Sequence, residues 1–142
     1  MRKIIYTKKF LLLTLIFFSQ LTLPVSDRVF SQITPETAAE QWSIRQTEIE
    51  QFYQEGDLQS ALNNAQEAVS LAEAAFGAFS LEKISSLLLQ AQIHSELDQL
   101  EEANHTYQTA LETTVSTYGE SDDITLSVLD NYGQFLKSID PE

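Results

Sequence analysis

His94 and His105, eleven residues apart, are the two imidazoles of a 142-residue chain that has no cysteine. Imidazole is the side chain best suited to proton transfer or metal ligation near neutral pH, but two histidines without a thiolate form no recognisable zinc site. His94 also occupies the place that Phe52 and Leu136 hold 42 residues to either side, which marks it as a packed residue. The acid pairs Glu101/Glu102 and Asp122/Asp123 raise the question of cation binding. Neighbouring helical residues diverge by about 100°, however, and both pairs open a helix, where carboxylates complement its positive end. No calcium-loop spacing accompanies them. Serines are frequent, yet none lies in a Gly-x-Ser-x-Gly turn, and there is no Gly-rich phosphate cradle. "NHT" at Asn104 has the form of a glycosylation sequon, but Asn104 is in register with Leu62 on a packed face. No constellation supplies a nucleophile, a base and a stabiliser together, so the residues argue against an enzyme and ask for no cofactor or metal.

The elements that carry these side chains are helices, and they recur. "QSALNNAQEAVSLAEAAFG" (residues 59–77) is echoed by "EEANHTYQTALETTVSTYG" (residues 101–119), with Leu58/Leu100, Ala61/Ala103, Ala68/Ala110, Phe76/Tyr118 and Gly77/Gly119 each 42 residues apart. Trp42, Ile84 and Leu126 extend the same period, as do Ile49, Ala91 and Gly133. Apolar residues at spacings of three and four predict helices over about 36–54, 58–76, 80–97, 100–118 and 121–139. Thr34, Pro35 and Glu36 suit a helix start, Ser80 caps the third helix, and Ser121 with the two following aspartates opens the fifth. "EGD" (residues 55–57) and "LDQ" (residues 97–99) make turns, and Gly77 and Gly119 are stop signals. No single pair could bury its apolar face alone, whereas stacked pairs share one core, the logic of a solenoid.

In this register the chain resembles the tetratricopeptide repeat. That family's pattern is a small residue in the first helix, an alanine twelve further on and another seven after that, matched by Ala91, Ala103 and Ala110 and, with Ile49 in the small place, by Ala61 and Ala68. The 42-residue period, longer than the usual 34, is similar to the repeats of kinesin light chains. The resemblance covers about residues 36–139 and implies an all-α fold, a right-handed α-solenoid of antiparallel helix pairs with about two and a half repeats. Arg45 stands where a bulky apolar residue is usual, and the family's frequent first-helix asparagine is matched by Asn131 but replaced by Thr47 and Leu89. First helices of the family line a concave groove. By register its positions here are Gln46, Glu50 and Tyr53, then Leu88, Gln92 and Glu96, then Asp130, Gln134 and Lys137.

Ahead of the repeats, "MRKIIYTKKF" carries four bases and leads into "FLLLTLIFFSQLTLPV", a charged region followed by an apolar one. The run is shorter than the ~20 residues that cross a bilayer, so residues 1–31 read as a signal peptide, with cleavage after Ser31 or, as a second choice, after Ser26. Without cleavage the same segment would be a membrane anchor. Residues 1–31 hold five of the eight bases and one of the 21 acids, leaving three bases against 20 acids and a formal charge of −17 for residues 32–142. That balance excludes nucleic acid and, after cleavage, anionic membrane surfaces as partners, because both require clustered Lys and Arg. The lack of cysteine excludes disulfides and a lipidated N-terminus.

The expectation is therefore an exported, periplasmic or secreted protein-interaction module that takes a protein or peptide, preferably basic, in its groove. The alternative is a structural subunit that self-associates as a homodimer through the fifth helix. That helix begins a third repeat, and its apolar arc, about 140° wide, exceeds the ~100° stripe that a surface helix commonly buries. Its polar back suits a solvating cap, and its uncovered edge falls at Tyr132 and Phe135 or at Ile124 and Val128.

Overall fold

The computed structural model describes residues 34–140, so the signal segment and its cleavage site lie outside the described residues. Five helices follow one another: α1 (Pro35–Glu55), α2 (Leu58–Phe76), α3 (Leu81–Glu96), α4 (Leu100–Tyr118) and α5 (Asp123–Ile139). Each packs against the next, and α3 also touches α5. No strand occurs among the described residues. This is the all-α stack of helix pairs that the period implies.

Local chemistry sets the boundaries. The Thr34 hydroxyl accepts the amide of Thr37 at 3.2 Å, with Pro35 in the first turn; Asp57 accepts from Ser60 at 3.1 Å, and Ser80 from Lys83 at 3.2 Å. Each such cap contributes about 1 kcal/mol. The fifth helix starts two residues later than expected. Asp122, in extended conformation, is its cap and accepts the amide of Ile124 at 2.9 Å, which leaves Ser121 in the preceding turn.

The two turns within repeats show how one backbone geometry accommodates different residues. Gly56 ends α1 with φ +78°, and Asp98, 42 residues on, takes φ +59° after α3. Glycine enters this left-handed region without strain, and aspartate is among the few other residues that tolerate it. The next residue in each turn differs as well. Asp57 caps α2, whereas Gln99 makes no cap to α4. The Gln99 side chain instead accepts from His94 Nδ1 at 2.6 Å, and His94 Nε2 lies 3.3 Å from the amide of Gln90. An amide oxygen only accepts, so Nδ1 carries the proton and Nε2 accepts from Gln90. His94 is 5% exposed where Phe52 stands in the first repeat, and Gln99 satisfies that buried polar ring at the expense of a helix cap.

The core runs through the stack as three clusters. Ile49, Ala61, Leu62, Ala65, Ala68 and Ile93 join α1, α2 and α3. Ile84, Leu87, Ala110 and Val128 join α3, α4 and α5, and beside them Ala91, Ala103, Tyr107 and Phe135 form the third cluster. Ala61, Ala68, Ala91, Ala103 and Ala110 have no exposed surface, so the repeat-defining alanines all lie inside the stack, where a methyl side chain permits close helix packing.

The His94–Gln99 exchange predicts a change of sign. Gln99→Asp alone removes the imidazole's partner and destabilises by about 1–3 kcal/mol. In a His94→Phe background the same substitution supplies the cap of the first repeat and stabilises by about 1 kcal/mol. Urea unfolding of the four proteins checks this; an equal effect of Gln99→Asp in both backgrounds would contradict it.

Candidate functional site

Six of the nine groove positions lie on α1 and α3, and the structure brings three of those together. The Tyr53 hydroxyl donates to the Glu96 carboxylate, and the Gln92 amide donates to Tyr53 at 3.1 Å and to Glu96 at 3.2 Å. Gln46 reaches across to Ser86 Oγ at 3.3 Å. Glu50 is held by Gln54 on its own helix, and Leu88 packs partly into the core between α3 and α5. The remaining three positions stand apart. Asp130 and Gln134 bond each other along α5 at 2.8 Å, Lys137 is exposed, and no hydrogen bond among the described residues joins them to α3.

Ser86 is the residue that the register did not single out, and its partner Trp42 was placed there only as the equivalent of Ile84 and Leu126. Ser86 is 1% exposed; its hydroxyl donates to the Glu82 carbonyl at 2.7 Å and accepts from Trp42 Nε1 at 3.0 Å and from Gln46. One donor and two acceptor positions are all in use. A serine within an apolar helical pattern carries no signal of that role. The first helices of repeats one and two are thus laced at both ends, by Ser86 near the start of α3 and by Glu96 at its end.

The electrostatics of this edge are acidic. Accepting from the Tyr53 hydroxyl, the Glu96 carboxylate holds the phenol above its ordinary pKa, with partial burial and the charge of Glu50 acting in the same direction. Two of the three bases after residue 31 are committed elsewhere. Arg45 pairs with Glu48 and, at 2.8 Å, with Glu67 on α2; Lys83 pairs with Glu73 at 2.7 Å. Arg45 therefore replaces the apolar residue usual at its position with an ion pair to the neighbouring helix. Such an edge attracts cations and hydrogen-bond donors.

Among the described residues the other candidates form no group placed to hold a metal ion. His94 is satisfied within the fold, and His105 is exposed on α4. Glu101 and Glu102 lie exposed in the first turn of α4, and Asp122 and Asp123 open α5. Asn104 is half-buried and accepts from the Tyr132 hydroxyl at 2.6 Å.

The expected open edge of α5 needs correction at Tyr132 and Phe135, whereas Ile124 and Val128 line an open trough against α3. Phe135 and Val128 are 4% and 1% exposed, and Ile124 and Tyr132 are partly covered. Tyr107 of α4 covers the first edge, its ring stacking on Tyr132 at 5.6 Å and lying 5.2 Å from Phe135, while Val128 packs with Ile84, Leu87 and Ala110. The exposed apolar residues of α5 are Leu126, Leu129, Leu136 and Ile139. The first three correspond in register to Ile84, Leu87 and His94, which α3 buries with α4 alongside; no second helix stands beside α5 among the described residues.

A family model described as tetratricopeptide repeat matches residues 50–114, from the last turns of α1 through most of α4. No curated protein and no solved structure matches the chain. The 42-residue, kinesin-light-chain-like form of the repeat is consistent with the match. With the alanines buried at every shared register position and the helices packed in consecutive pairs, the fold agrees with that match, and residues 50–114 carry the tetratricopeptide repeat.

Proposed function

We propose that this chain is an exported, non-catalytic interaction module that offers the acidic edge of α1 and α3 to a basic protein or peptide of the cell envelope. Tetratricopeptide repeats are protein-interaction modules and in general not catalysts. The observation that carries the finer reading is the Tyr53–Gln92–Glu96 network, which fixes a carboxylate at the meeting of two repeats with Glu50 on the same helix as Tyr53. A fixed acceptor loses little side-chain entropy when a Lys or Arg reaches it, and a charge of −17 over residues 32–142 steers such partners in. The basic and apolar order of residues 1–31 supports export, and no described helix is long and apolar enough to cross a membrane.

A second reading, self-association through α5, is favoured by the exposure of Leu126, Leu129 and Leu136. Its contact would lie on those leucines, since the core already holds Val128 and Phe135.

Two measurements test the first reading. Reversing Glu50→Lys and Glu96→Lys together lowers affinity for a short lysine-rich peptide by about tenfold or more at low salt, with a smaller loss at high salt; unchanged affinity would move the site off this edge. Export predicts that protein recovered from its own cells begins near Gln32, and intact Met1 in a membrane pellet would replace the exported form with an anchored one.

A further inference from the structure

The two junctions between first helices share a backbone plan but not a chemistry. At the α1–α3 junction Trp42 and Gln46 both reach the hydroxyl of Ser86. Forty-two residues on, these three positions are Ile84, Leu88 and Val128, so no polar group bridges α3 to α5 at that level. What forms is an open trough of about 500 Å³, floored by Ile84, Leu88, Ile124 and Val128. Leu81, 48% exposed, extends the apolar lining to solvent.

Two carboxylates, Glu82 and Asp123, line the same trough, and among the described residues neither has an ion-pair partner. Lys83, next to Glu82 in sequence, is held by Glu73 on α2. No base lines the trough. From this we infer that the α3–α5 trough is a specificity subsite for a partner segment that presents two neighbouring aliphatic side chains flanked by Lys or Arg. The volume exceeds what one leucine side chain fills, and the open shape suits side chains on a chain segment better than an enclosed small molecule. Charge complementarity with Glu82 and Asp123 selects the basic flank, and the apolar floor selects the aliphatic pair. The inference rests on the proposed binding function, because Leu88 belongs both to the trough and to the groove register; it adds an apolar requirement that the acidic edge of α1 and α3 does not impose.

The test uses two synthetic peptides of equal charge, one built from Lys-Leu-Leu-Lys units and one with serine at every leucine, titrated by fluorescence anisotropy against the repeat-bearing protein. The leucine peptide binds about tenfold tighter than the serine peptide. Ser127→Trp and Ser85→Trp, exposed positions that border the trough without entering the core, abolish that preference. Glu82→Lys weakens both peptides about three- to tenfold. Equal binding of the two peptides, or a leucine preference that survives both tryptophan substitutions, overturns the subsite. If the Glu50→Lys, Glu96→Lys protein still loses affinity in those cases, the acidic edge stands without the trough; if it does not, the groove reading falls as well.

Discussion

Close approach of helix backbones at alanine is the constraint on which the other features depend. Ala61 and Ala68 on α2, Ala103 and Ala110 on α4 and Ala91 on α3 are wholly buried. A methyl side chain lets two helices approach while Ile49, Ile93, Leu87 and Phe135 fill the space to either side. Fixing the helices at these points also fixes which side chains meet across neighbouring repeats. Tyr53 reaches Glu96, and Trp42 reaches Ser86, because α2 holds α1 and α3 at a set separation.

Given that spacing, the chemistry of each junction is decided by a few side chains. Serine at position 86 allows a bonded, polar closure between α1 and α3, and valine at position 128 allows an apolar trough between α3 and α5. The exchange at the inner turn is of the same kind. Phe52 with Asp57 gives an apolar contact and a capped helix, whereas His94 with Gln99 gives a buried hydrogen bond and an uncapped one. Repeats of one fold thus become chemically distinct surfaces, as a binding module requires.

The 42-residue register made the helix order and nearly all the boundaries legible, because buried alanines and terminal glycines recur under packing constraints. The site was legible only in part. Register located Tyr53, Gln92 and Glu96, but not Ser86, whose hydroxyl is needed only because Trp42 and Gln46 point at it. The helical wheel gave the width of the α5 apolar arc but left two edges open, of which Tyr132 and Phe135 are covered and Ile124 and Val128 line the trough against α3. Which part of such an arc is covered depends on the neighbour, and the ring of Tyr107 on α4 decides it. Ser121 lost the cap of α5 to Asp122 for a similarly local reason, the extended backbone that aims the aspartate at Ile124.

The measurement closest to the central claim is the urea stability of Ala68→Leu and Ala110→Leu beside Ala74→Leu. Ala68 and Ala110 are wholly buried at equivalent places in successive repeats, and Ala74 is exposed on α2. Each buried replacement forces two helices apart and lowers stability by about 1–3 kcal/mol, whereas the exposed one changes it by less than about 0.5 kcal/mol. Tolerance of leucine at position 110 equal to that at position 74 would contradict the account, for then the helices would not be meeting at the repeat alanines.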